Sequence, residues 1–155
     1  MKNLLITLLL IAPVHNITAQ VNQTYEITLE GAKKIMAEAV KYAKANNAPG
    51  GAIAIVDRGG HVVLLERITG TFPAASEVSI GKARTAAMFR FESKKLEDAI
   101  INGRGSLVTV GHNMLRGGLP IIYEDQVIGG IGVSGAASAD QDVEIATAGL
   151  KINFQ

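Results

Sequence analysis

The chain has 155 residues, 15 lysines and arginines against 14 acids, 48% apolar residues and no cysteine. Without cysteine, disulfides, thiolate metal sites and lipid attachment at cysteine are excluded. The near-neutral charge lacks the clustered basic excess of a general nucleic-acid binder, and the length fits one domain with a sizeable core.

Residues 1–19 read as a signal peptide. Lys2 supplies a positive start, Leu4 to Ile11 a short apolar core, and Ile17-Thr18-Ala19 before Gln20 a small-residue cleavage site. That run is too short to span a bilayer, and no later stretch is long enough. The expectation is an exported protein, periplasmic or extracellular, without a membrane span, in which residues 20–155 form a single domain. Removal of Lys2 leaves equal numbers of basic and acidic residues. Close subunit packing is compatible with such a balance and with the high alanine and glycine content.

Thr28 caps a helix beginning at Leu29, with Ala32, Met36, Ala39, Val40 and Ala43 on its buried stripe. Asn46 to Pro49 stops it, because proline disfavours a helical residue before it. Ala52 to Val56 and His61 to Ile68 form a hairpin around Asp57-Arg58-Gly59-Gly60, whose glycines permit the tight reversal. Poor alternation in both strands predicts that both of their faces are covered. Ser76 to Phe91 reads as the central helix, with Ile80, Ala83, Ala87 and Phe91 on one stripe and Lys82, Arg84 and Arg90 on the other face. A shorter helix starts at Ser93 and ends at Asn102 to Gly105. Leu107 to Leu115 stays open between strand, short helix and a loop over a pocket.

The run Gly117 to Gly135 organises the rest. Leu119 to Tyr123 and Val127 to Val133 flank a polar turn and read as a second hairpin. Strict alternation puts Val127, Gly129, Ile131 and Val133 on one face, and Ile128, Gly130, Gly132 and Ser134 on the other. The second face is nearly bare backbone, and strand glycine marks close approach by something else. A packed helix is the favoured visitor; another subunit or a flat ligand stays open. Ser138, three residues before Gln141, then opens a last helix carrying Val143, Ala146 and Leu150 on one face. The order implies an α+β domain with an antiparallel sheet of about five strands, a usual size, flanked by helices.

Signal removal takes His15 and leaves His61 and His112. Two histidines without His-x-x-x-His or His-x-x-Glu spacing make no metal site by themselves. His112, beside the glycine-rich hairpin, is the candidate imidazole ligand for a haem iron, against a plain surface or core histidine. No Gly-x-Ser-x-Gly elbow or triad pattern is present. Gly129-Gly130-Ile131-Gly132 is no dinucleotide fingerprint, because the spacing and the following helix are wrong. Asp140 and Asp142 suit the positive end of the last helix better than a paired-carboxylate catalyst. Arg67, Lys82, Arg90, Arg104 and Arg116 are either ligand-carboxylate partners or ordinary surface charges.

Three stretches together resemble one family. Ala54-Ile55-Val56-Asp57-Arg58-Gly59-Gly60-His61-Val62-Val63 resembles the first hairpin of the HbpS/GlcG-like, or haem-degrading domain, family. Lys82-Ala83-Arg84-Thr85-Ala86 with Ser93 to Ile100 is similar to its central helix and the segment after it. Gly117-Gly118-Leu119-Pro120-Ile121, Val127 to Gly135 and Gln141-Asp142 are similar to its final signature. The resemblance covers about Thr28 to Leu150. It implies a helix-flanked antiparallel sheet of profilin-like layered architecture, homo-oligomers and, in some members, binding of haem or a corrinoid. Two departures stand out: Arg67-Ile68-Thr69-Gly70 lacks a carboxylate that many relatives carry, and Glu124-Asp125-Gln126 replaces an acidic-glycine turn.

The expected function is therefore an exported protein that binds haem, ahead of a corrinoid, for sequestration, delivery or sensing. The expected binding set is His112 as axial and metal ligand, Arg67, Lys82 and Arg116 near the propionates, and Gly117, Gly118, Gly130 and Gly132 as the bare surface beneath the macrocycle. Haem breakdown or another redox activity is the enzymatic alternative, with no catalytic residue assigned. A cofactor-free oligomeric scaffold is the third.

Overall fold

The structure, a computed structural model, describes residues 20–154; the signal-peptide reading of residues 1–19 lies outside the described residues. Helix α1 (Leu29–Ala45) precedes β1 (Gly51–Asp57) and β2 (Val62–Ile68). Helices α2 (Ala75–Phe89) and α3 (Lys94–Ile101) follow, then a 3₁₀ turn at Gly105–Val110. Strands β3 (Gly118–Tyr123) and β4 (Gln126–Ser134) and helix α4 (Ala139–Gly149) complete the domain. The sheet is antiparallel, in the order β2-β1-β4-β3.

Two cores lie on opposite faces of this sheet. On one, α1 and α4 bring Ile35, Met36, Ala39, Ile145 and Ala146 against Ile53, Ile55, Ile121, Ile131 and Val133. On the other, Ile80, Ala83 and Ala87 of α2 meet Ala54 and Val56. The caps expected for α1 and α4 form: Thr28 accepts from Gly31 N at 3.1 Å and Ser138 from Gln141 N at 3.1 Å.

The visitor on the glycine face of β4 is α2. A Cβ on Gly132 would stand 2.1 Å from Ser79 O, and one on Gly130 would stand 2.4 Å from Ala83 O. Helix backbone therefore rests on strand backbone, which only glycine on the strand and small residues on the helix allow. No flat guest can share that face. Gly130 and Gly132 are packing residues, and the expectation that they underlie a macrocycle is corrected.

The sheet has four strands instead of about five. The open stretch Leu107 to Leu115 becomes the 3₁₀ turn and a loop, bracketed by Gly103 (φ 95°) and Gly111 (φ 76°), which turn the chain before a ladder can start. Both faces of β1 are covered as expected, but β2 is a largely exposed edge strand. Phe91 leaves the α2 stripe, because Arg90 ends the helix at φ 62°; it packs instead with Leu96, Leu107 and Met114.

Alternation along β4 breaks once. Ile121 pairs with Gly129 but Ile122 with Val127, so Ile128 is an extra residue in β4. The bulge sends Ile128 into the α1 core and leaves Val127 beside Ala87 and Met88. Gly132→Ala is expected to cost about 3 kcal/mol by overpacking α2, read as a lower urea midpoint. Gly105→Ala, with open space around its Cα, is the control and should shift stability by less than about 0.5 kcal/mol.

Candidate functional site

The residues of the final glycine-rich signature meet around one buried charge. Lys82, only 3% exposed, donates from Nζ to Asp142 Oδ2 at 2.9 Å and to Val133 O at 2.8 Å. The other Asp142 oxygen accepts from Ala136 N at 3.1 Å. Gly117 passes close by at φ 110°, where a Cβ would come within 3.0 Å of the ammonium. A Cβ on Gly118 would strike Lys82 O at 2.2 Å, and Ser93 Oγ accepts from Gly118 N at 2.9 Å. The cluster ties α2, β4 and α4 together. Burial pushes the Asp142 carboxyl above its ordinary range, while Lys82 and the Ala136 amide pull against it.

The residues expected to bind a ligand are consequently dispersed. Lys82 is spent on Asp142 and is not free for a propionate, a correction that follows from its burial. Arg116 is held by Glu97 and, at 3.0 Å, by Asp140. Arg67 lies exposed on the edge strand opposite Ala52, at the far end of β1 from its turn. Gly117 and Gly118 are packing residues. His112 is half-buried against Phe89, edge-on at 5.2 Å between ring centroids. The structure does not bring these residues into one site.

A different end of the molecule is concave. Helix α2 runs antiparallel along β4, from Ser79 over Gly132 to Ala87 over Gly130, so its C-terminus arrives where both hairpins turn. There a cleft of about 730 Å³ is lined by Arg58, Arg90, Ile122, Val127, Asp125, Gln126 and the segment Asn22–Thr24. A recess of about 200 Å³ adjoins it, sharing Arg58, Arg90 and Val127 and adding Met88. The first volume lies inside the range of about 300–1,000 Å³ usual for small-molecule sites.

Two local devices present the arginines. Asp57 accepts from the amides of Gly59 (2.8 Å) and His61 (2.9 Å), fixing the turn that carries Arg58. Partial burial pushes Asp57 up, but these amides and the His61 ring outweigh it and hold the carboxyl below its usual range. Arg84 pins the same turn onto α2 through Nε to Gly60 O at 2.8 Å. Arg90 is aimed by its left-handed backbone at the helix end, and Glu124 (φ 44°) and Asp125 (φ 59°) form the left-handed β3–β4 turn. Among the described residues, neither Arg58 nor Arg90 has a carboxylate within 4.0 Å. Two unpaired guanidinium groups on a partly apolar cleft suit a ligand with carboxylate or phosphate groups.

Arg90 stands among the candidate carboxylate partners read from the sequence, whereas Arg58 does not. The available signals were an arginine inside the Asp-x-Gly-Gly turn and another just past the central helix. Nothing in their spacing couples them, since they meet only through the direction of α2 over β4. Among the described residues no cluster of three or more metal-ligating side chains occurs, and no helix is long and apolar enough to cross a membrane.

A family model described as "Haem degrading protein HbpS-like" matches residues 27–151. Protein GlcG of Escherichia coli K12 is 43% identical over 83 residues, covering 53% of this chain and 62% of that relative's length. The crystal structure of Klebsiella pneumoniae protein ORFY superposes with a TM-score of 0.79 at 30% identity, covering 86% of this chain and 94% of that one. A double mutant of Streptomyces reticuli HbpS gives 0.76 at 30% identity, covering 90% and 94%.

The buried pair yields a test. Lys82→Met strands Asp142 in the core and is expected to cost about 3–5 kcal/mol at neutral pH. Burial makes the folded state hold the Asp142 proton more tightly than the unfolded chain does. That contribution to stability is present below the unfolded carboxyl pKa and is lost as pH rises through the folded one. Losing Lys82 removes the main opposing influence, so the deficit of Lys82→Met should shrink on acidification. Urea unfolding across pH, with Lys82→Met/Asp142→Leu as the apolar replacement that recovers stability, checks both statements.

Proposed function

We propose that this chain, which belongs to the HbpS-like family, is an exported protein that binds haem or a related tetrapyrrole in the cleft between Arg58 and Arg90. The observation that carries the reading is that Arg58 and Arg90, without a carboxylate partner among the described residues, line one cleft of about 730 Å³, in a family described by its dealings with haem. Arginine's forked donors match the two propionates, and Ile122, Val127 and Met88 offer apolar surface to the ring edge. The side chains present therefore fit the carboxylate-bearing edge of the macrocycle. Met88, half exposed, lines the adjoining recess; His112 is not among the lining residues of either. Haem held there would supply an iron able to exchange electrons.

The role is sequestration, delivery or sensing, with a corrinoid as the less favoured ligand. Export is supported by the signal-like residues 1–19, and fractionation of the native source checks it. Assembly into homo-oligomers is supported by exposed Val62 (44%) and Leu65 (38%) on the edge strand, and light scattering measures it. Haem breakdown is the second reading, favoured by the family description. Absorbance loss that persists with catalase present supports turnover at the site, and full protection by catalase removes it.

Micromolar haem added to the protein should give a shifted Soret band; an unshifted spectrum overturns the proposal. Arg58→Ala and Arg90→Ala should each weaken binding roughly 10- to 100-fold, the worth of one hydrogen bond to a charged group. His112→Ala should leave the spectrum unchanged, and a changed one would return that imidazole to the iron.

A further inference from the structure

The outer wall of the arginine cleft is not part of the sheet or a helix. It is the segment Asn22–Thr24, and β4 and its turn fasten it. Gln126 uses both ends of its amide: Oε1 accepts from Tyr25 N at 3.4 Å, and Nε2 donates to Gln23 O at 3.4 Å. One side chain thus reads the segment's backbone as a neighbouring strand would. Tyr25 donates its hydroxyl to Glu124 at 3.2 Å and stands edge-on to Tyr123, ring centroids 5.1 Å apart. Further in, Ile27 is buried and its amide donates to Ile128 O at 3.1 Å.

These attachments are graded along the chain. The inner end, Tyr25 to Ile27, is anchored by ring packing, burial and a backbone bond. The outer end, which carries the cleft wall, is held among the described residues by one hydrogen bond, from Gln126 Nε2 to Gln23 O at 3.4 Å, longer than the usual range of about 2.7–3.2 Å for N–H···O. Such a contact releases without unfolding anything behind it. Gln126 also lines the cleft, so the fastening and the ligand space share a residue.

We propose that Asn22–Thr24 is a clasp over the arginine cleft and that Gln126, which fastens it, is a specificity-determining residue. The clasp retains an anionic ligand large enough to reach from the guanidinium pair to this segment. A small dianion held by Arg58 and Arg90 alone does not touch it. The inference rests on the reading of the cleft as a ligand site, and it adds the element that selects by size.

The test compares two probes, haemin and inorganic pyrophosphate, on the full chain and its variants. Gln126→Ala should weaken haemin roughly tenfold, the worth of two modest neutral hydrogen bonds, mainly through faster dissociation. Pyrophosphate affinity should stay within twofold. Arg58→Ala and Arg90→Ala should weaken both probes. Haemin binding within twofold of the unaltered protein in Gln126→Ala, or an equal loss for both probes, overturns the clasp. If the unaltered protein binds pyrophosphate but not haemin, the tetrapyrrole reading fails, and amide exchange at residues 22–25 decides the clasp. Protection lost in Gln126→Ala supports it, and unchanged exchange overturns it.

Discussion

The close seating of α2 on the glycine face of β4 is the constraint on which the other features depend. Side chains normally hold a helix away from a sheet, but here Ser79 O and Ala83 O lie where the Cβ atoms of Gly132 and Gly130 would be. So short a separation leaves little apolar surface between the two elements. The buried Lys82–Asp142 pair, linking α2 to α4 and to Val133 O, supplies the lateral fix that a thin interface lacks. A buried ion pair is weak evidence of net stability. Geometrically, it joins Lys82 of α2 to one register along β4, at Val133 O, and to Asp142 of α4.

That register determines where the cleft opens. With α2 fixed along β4, its last turn reaches the end of the sheet where both hairpins reverse, and Arg90 arrives beside Arg58. The bulge at Ile128 completes the wall by leaving Val127 facing Met88 and Ala87. The close seating at Gly118 and Gly132 and the arginine cleft thus lie at opposite ends of one helix–strand contact. The family signature around Gly117, Gly118 and Asp142 builds the tight end. The ligand-facing residues come from turns, where change costs the core little.

Much of the fold was legible because its signals are local. Thr28 and Ser138 announced their helices, and the 3.6-residue stripe of α1 placed its side of the core, whereas α4 buries Ile145, Ala146 and Gly149 while Val143 and Leu150 of its expected stripe stay half-buried. The bareness of Gly130 and Gly132 announced a close neighbour, and the favoured packed helix was the right one. Lys82 could not be read, since periodicity puts it outside and its partner lies 60 residues further on. Arg58 was hidden for a similar reason: a turn residue gains a role only from what folds against it. The bulge that redirects Val127 follows from a register shift between strands, which one strand's sequence does not display. Glu124-Asp125-Gln126 looked like a substitute turn, yet Glu124 and Gln126 also hold Tyr25 and Gln23.

Arg90, Glu124 and Asp125 all occupy backbone conformations that glycine would adopt without steric strain. Each carries a penalty of order 1 kcal/mol, so the rim of the opening is a place where robustness has been given up for side chains. Selection for heat tolerance alone would drift these positions toward glycine, and the hardened descendants would keep their fold while losing a guanidinium and the tether of Tyr25. Laboratory evolution of this scaffold would then trade endurance against grip at three identifiable codons.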